Sequence, residues 1–160
     1  MENNYAYIDG ANLHQGMNFL GWKMDYKKFR IWLKEKFDIN IAYIFIGSIP
    51  KYSKLYAYLQ ECGFILIFKE VVYDNTGKAK GNCDADLVLK ATQDFYRASF
   101  DKMILISSDG DYSSLVSFVL SENRLLGILS PANEKKCSIL LKRTNAKIFY
   151  INDQKGILRQ

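Results

Sequence analysis

Short, nearly continuous apolar runs alternate along the chain with longer stretches whose apolar positions recur every three or four residues. The first pattern predicts strands covered on both faces, and the second predicts helices that pack one face against them. A strand opens at Tyr5 and runs into Asp9, and further strands are expected at 40–47, 64–68 with an extension over 70–73, 102–106, 124–129 and 147–151. Between them, Asn12 is placed to cap a short helix through Met17 to Leu20 that Gly21 closes, and Asp25 to cap a helix over 26–37. In that second helix Phe29, Trp32, Leu33 and Phe37 share one face. Pro50 opens a helix over 51–62, and the polar stretch 74–81, with two glycines and no periodic apolar position, reads as a loop. Helices over 82–98, 111–122 and 135–141 complete the series.

Alternating strands and helices imply an α/β domain: a mainly parallel central sheet wrapped on both faces with right-handed crossovers, in one unit over residues 1–160. In such a sheet ligands gather at the carboxyl ends of the strands. Two predicted strands end there in acids, the first in Asp9-Gly10-Ala11-Asn12 and the fourth in Ser107-Ser108-Asp109-Gly110-Asp111. The stretch Asn82-Cys83-Asp84-Ala85-Asp86 opens a helix with two more. Each acid taken singly has an innocent reading as a turn residue, a cap or a complement to a helix dipole. Helical spacing separates the last pair, because Asp84 aligns with Leu87, Val88, Ala91 and Phe95 on the packing face. Asp86 aligns instead with Lys90, Asp94 and Arg97, spaced for ion pairs on the solvent side. Asp111 aligns with Leu115 and Phe118 and is expected to begin inward. Carboxylates gathered in one cleft repel each other unless a cation is present. An all-oxygen set without histidine or cysteine suits Mg²⁺ or Mn²⁺ and, with it, phosphodiester hydrolysis.

Composition narrows the partners. The formal charge is +5, and seven basic side chains between Lys135 and Arg159 outweigh Glu134 and Asp153 by that same amount. Such a balance suits a polyanion. It puts Lys135 and Lys136, with the loop lysines Lys78 and Lys80, forward as phosphate contacts. Three scattered cysteines read as free thiols, and neither a membrane span nor a signal peptide is expected, so the chain is expected to be soluble and cytoplasmic. Phosphate-binding, dinucleotide-binding and serine-hydrolase motifs are absent. His14, the one histidine, and Tyr52, Tyr56 and Tyr58 read better as helix surface and packing than as substrate contacts.

Tyr7-Ile8-Asp9-Gly10-Ala11-Asn12, Lys80-Gly81-Asn82-Cys83-Asp84-Ala85-Asp86-Leu87 and Ser107-Ser108-Asp109-Gly110-Asp111-Tyr112, in that order and spacing, resemble the NYN domain, the LabA-like branch of the PIN-type nucleases. The resemblance implies a Rossmannoid, PIN-like three-layer sandwich with the first strand central, and a Mg²⁺ or Mn²⁺ site that cuts RNA. By position, Asp9, Asp84 and Asp109 match the family's acids, Asp111 the second acid of its S-D-G-D motif, and Asn12 its polar partner. Ser108 of that motif joins Asn12 as a candidate substrate contact. Lys90 stands where the family often has another acid, and helical spacing puts it on the outer face.

The expected function is therefore a metal-dependent ribonuclease, with Asp9, Asp84 and Asp109 holding the ion and Asp111 a ligand or a group that orients water. The alternative is an RNA-binding or regulatory module that keeps the fold and turns over slowly or not at all. A third reading, a phosphatase or a phospho-accepting receiver-type domain, is weakened by Lys147, which begins its strand where a phospho-acceptor site needs a lysine at the strand's end. The apolar last strand offers an edge for a homodimer.

Overall fold

In a computed structural model, which describes residues 1–160, six strands form one parallel sheet: β1 (Asn4–Asp9), β2 (Ile39–Ser48), β3 (Ile65–Glu70), β6 (Met103–Ile106), β7 (Leu125–Ser130) and β8 (Ile148–Tyr150). Their spatial order is β3-β2-β1-β6-β7-β8. The chain winds outward from β1 to one edge, returns to β6 beside β1, and winds to the other edge. The order therefore reverses between β1 and β6, and a crevice opens at their carboxyl ends. Two short strands, β4 (Val72–Tyr73) and β5 (Ala79–Lys80), make an antiparallel arm outside the sheet.

Successive residues of a strand face opposite sides, and the core divides accordingly. Ala6, Ile8, Ala42, Ile44, Ile104 and Ile106 meet α1 (Gly10–Leu20), α2 (Tyr26–Phe37), α3 (Ser53–Glu61) and α7 (Lys155–Leu158) on one face. Tyr7, Phe45, Met103, Leu105 and Ile128 meet α4 (Asp84–Tyr96), α5 (Ser113–Ser121) and α6 (Ile139–Lys142) on the other. This is the expected three-layer α/β sandwich with the first strand central. The expected face of α2 is buried as a block, through Phe29, Trp32, Leu33 and Phe37. Each such side chain contributes roughly 1.5–3 kcal/mol.

Several local expectations are corrected. β3 is not buried between two layers; it is an edge strand, with Ile65 and Phe68 exposed. Its apolar run is as dense as that of a central strand, so the run alone could not tell them apart. The loop over 74–81 is half a hairpin, because Asp74 accepts the N–H groups of Thr76 and Lys78 at 2.9 Å each and turns the chain back so that β5 pairs with β4. α6 begins only after Ser138, whose hydroxyl caps it, so Lys135 and Lys136 lie on the preceding turn. The segment after β8, a 3-10 turn over Ile151–Gln154 and then α7, was not anticipated; Ile151 and Leu158 anchor it in the core. No helix is long and apolar enough to cross a membrane.

Candidate metal centre

β1 ends on Asp9, and α1 begins at the next residue. Asp9 itself is the cap: its backbone is extended, and one carboxylate oxygen accepts the Asn12 N–H at 3.0 Å. Asn12 is thus not the expected cap but a residue of the first turn. Gly10 allows this abrupt start, since a Cβ there would lie 2.7 Å from the Phe45 carbonyl oxygen. Freed from capping, the Asn12 side chain reaches across the crevice, where its Oδ1 accepts the backbone N–H of Ser108 at 2.9 Å and the Ser108 hydroxyl at 3.1 Å. Asn12 therefore ties the turn after β1 to the turn after β6.

β6 leads into Asp109, which is fixed from both sides. Its N–H donates to the buried Ser107 hydroxyl at 3.1 Å, and its carboxylate accepts the Asp111 N–H at 2.9 Å. The third acid comes from α4, held by Leu87 and Ala91 against the sheet as the helical spacing predicts. Asp84 then points into the crevice, its own N–H bonded to the Asn82 side chain at 3.0 Å. Asp9, Asp84 and Asp109 each bring one carboxylate oxygen within 4.8 Å of the others.

The other candidates divide. Asp111 is exposed and lies outside this triad, contrary to the inward start expected for it. The reason is local: residues 110–112 form a 3-10 turn, and α5 starts only at Ser113, so the helical phase inferred back to Asp111 does not hold. Asp111 stays close enough to feel the site, and the charge of Asp109 first, then partial desolvation and Asp84, raise its carboxyl above the usual range. Asp86 pairs with Lys69 at 3.3 Å. Lys90 and Asp94 are not on a solvent face: Asp94 is buried, accepting Lys90 Nζ at 3.0 Å and the Tyr7 hydroxyl at 2.6 Å. Lys78, Lys80, Lys135 and Lys136 are exposed outside the triad.

Tyr112 is the residue that spacing arguments missed. It is fully buried, and its hydroxyl lies 3.0 Å from an Asp9 oxygen and 2.9 Å from an Asp84 oxygen. A phenol carries one proton and can serve one of these carboxylates at a time. Burial first, and then the two neighbouring carboxylates, push the Tyr112 hydroxyl far above its ordinary pKa, so it remains a donor. The signal was present in sequence, as the aromatic residue directly after the Asp109-Gly110-Asp111 turn, but nothing local shows which way it points.

Charge balance tests what the triad can hold. The fold has three ion pairs, Lys69 with Asp86, Lys90 with Asp94 and Lys102 with Glu2, and none reaches Asp9, Asp84 or Asp109. Asp9 feels this directly: burial above all, and then the Asp84 and Asp109 charges, raise its carboxyl although Asn12 and Tyr112 bond to it. The Cys83 thiol beside the triad is pushed up to about 11, by burial and then by Asp9. The group of side chains whose donor atoms converge is Asp9, Asp84 and Asp109, an all-oxygen set that does not include Cys83. Three convergent carboxylate oxygens without a basic side chain are compatible with a divalent cation.

The triad forms one end of a groove of about 620 Å³ that continues between β2, α1, α3 and the β4–β5 arm. The NYN domain family model matches residues 5–152. Among solved structures, a protein of unknown function from Vibrio parahaemolyticus is 22% identical with a TM-score of 0.78, the match covering 98% of this chain and 96% of that one. A mutant of T5 5'-exonuclease is 15% identical with a TM-score of 0.50, and this chain spans 56% of its length. Both likenesses are of fold. No curated protein matches the sequence.

Proposed function

The chain belongs to the NYN domain family, and we propose that it is a metal-dependent ribonuclease, hydrolysing RNA phosphodiester bonds with Mg²⁺ or Mn²⁺ held by Asp9, Asp84 and Asp109. The observation that carries this reading is the convergence of three carboxylates at the switch point with no basic residue to neutralise them. A divalent ion bound there would supply Lewis-acid activation of water and stabilise charge on the phosphate oxygens.

The chain's own residues do the rest. Asn12 and Ser107 lock the turns that carry Asp9 and Asp109, so the acids are placed before any ligand arrives. The Tyr112 hydroxyl lies within hydrogen-bond reach of both Asp9 and Asp84 and donates to one of them at a time. Asp111, exposed at the lip with its carboxyl pKa raised, is suited to orient a water molecule or accept its proton. Asn12, which lines the groove, and Ser108, bonded to it, are the polar side chains assigned to the phosphate. Lys78, Lys80, Lys135 and Lys136 are the cations assigned to the flanking backbone.

One observation favours the second reading, a module that binds RNA without cutting it: the Tyr112 hydroxyl already gives one of Asp9 and Asp84 a hydrogen-bond donor without any ion. Labelled single-stranded RNA incubated with Mg²⁺, Mn²⁺ or chelator separates the two. Cleavage should require metal and fall at least about 100-fold in Asp109→Asn, on the scale of a lost charge-stabilising group. Cleavage that persists in chelator sinks the metal reading. Tight binding without cleavage under either metal selects the module.

A further inference from the structure

The groove beyond the triad is chemically unlike its acidic end. Of the 24 residues lining it, 14 are hydrophobic. Its far wall is built by the turn after β2 and the start of α3, where Tyr52 and Leu55 line the groove while remaining 43% and 42% exposed. The Tyr56 hydroxyl donates to the Gly47 carbonyl at 2.9 Å and accepts the Ile49 N–H at 3.2 Å, tying α3 back to the chain just before Pro50. The tight approach of Gly47 and Gly81 to Val71 seats the arm against the end of β2 on the opposite side.

The only charged residues lining the groove are the three acids of the triad, and lysines flank its apolar part. Lys51 Nζ stands 5.0 Å from the centre of the Tyr52 ring, Lys54 follows on the first turn of α3, and the arm carries Lys78 and Lys80. An apolar slot for a lipid tail or a peptide side chain would need no such cations. A ligand with a flat aromatic group and anions on either side needs both.

We infer that this slot binds an unpaired nucleobase, stacked on Tyr52 beside Leu55, of the same strand whose phosphate lies at Asp9, Asp84 and Asp109. Bases in a duplex already stack on their neighbours, and their faces are closed to a protein ring. The inference rests on the nuclease reading only for placing the phosphate at the triad.

The test measures equilibrium binding of the full chain to short fluorescent oligonucleotides, in Ca²⁺ and in the Asp109→Asn background, so that cleavage does not interfere. Probes are single-stranded RNA and DNA, a blunt duplex, and a single strand made entirely of abasic sugars. Tyr52→Ala should weaken binding of the intact single strands by roughly 5-fold to 100-fold, the scale of one stacked base. Tyr52→Trp should retain binding, which a simple loss of charge or fold would not predict. Wild type should bind the abasic strand as weakly as Tyr52→Ala does, and Tyr52→Ala should lose nothing further on it. Unchanged single-strand binding by Tyr52→Ala, equal affinity for abasic and intact strands, or duplex binding at least as tight as single-strand binding would each overturn the slot. If Tyr52→Ala loses binding while the wild type never cuts, the slot stands and the nuclease reading fails. If the wild type cuts and Tyr52→Ala binds and cuts equally well, the reverse holds. No binding to any probe ends both.

Discussion

Helix α4 carries two carboxylates that each meet a tyrosine hydroxyl, one near its last turn and one at its first. At the far end Asp94 takes the Tyr7 hydroxyl and Lys90 Nζ, so charge and hydrogen bonds are both settled within the fold. At the near end Asp84 shares the Tyr112 hydroxyl with Asp9 and has Asp109 beside it, with no cation in reach. The parts are the same, a strand, a helix and a phenol, and the charge balance is opposite. A buried carboxylate that the fold neutralises is holding two layers together. A cluster the fold leaves unneutralised stores repulsion that only something brought from outside relieves.

That contrast breaks most visibly at Asp84. In excess Mn²⁺ the wild type should gain stability by mass action, about 2.7 kcal/mol at a hundredfold excess over the dissociation constant. Thermal melts should show that gain largely lost in Asp84→Asn and largely kept in Asp86→Asn, which touches only Lys69. In chelator Asp84→Asn should melt no lower than wild type, and as much as roughly 0.5–2 kcal/mol more stable, because one repelling charge is gone. A metal shift that survives in Asp84→Asn would mean the near end is as structural as the far one.

At the far end the sign inverts. Asp94→Ala strands a fully buried Tyr7 hydroxyl and should destabilise by about 1–3 kcal/mol, with or without metal. Denaturant titration checks this, and an effect that depended on Mn²⁺ would erase the distinction between the two ends.

The smallest expected effect is a pH dependence. Asp9 keeps its proton to a higher pH in the folded chain than in the unfolded one, chiefly through burial. Between those two values the folded chain binds more protons, so this group makes stability fall as pH rises, upward from about 4. Melts in chelator should show this decline in the wild type and a flatter profile in Asp9→Asn. Matching profiles would mean that burial does not hold the Asp9 proton in the folded chain.

The same contrast explains what could be read from the chain and what could not. Asp9, Asp84 and Asp109 were legible because each follows from a local rule: a strand that stops in an acid, or a helical face set by Leu87 and Ala91. The central place of β1 followed from the resemblance to the NYN domain, because the alternation of strands and helices does not by itself fix strand order. Asp94 was misread because its partner Tyr7 lies 87 residues away, and helical spacing can show neighbours only along α4. Tyr112 and Asp111 were lost to a single 3-10 turn, which shifts the phase of everything counted back from α5. The exposed position of β3 was hidden because edge and centre differ in what lies beside a strand, which an apolar run does not encode. The β4–β5 arm depends on one turn, closed by Asp74, whose pairing is visible only once it has formed.

Asp9 both ends β1 and caps α1, and this narrows the routes by which the chemistry could decay over generations. Asparagine caps a helix about as well as aspartate. A lineage released from the need to act on substrate could exchange Asp9 for asparagine, keep the start of α1 and shed the repulsion in the same step. Alanine at that position would also cost the helix its first hydrogen bond, roughly 1 kcal/mol. If the proposed activity holds, the exchange at Asp9 sheds the repulsion as Asp84→Asn does and also keeps the cap of α1, and descendants that have fallen silent should carry an amide where this chain carries one of these acids.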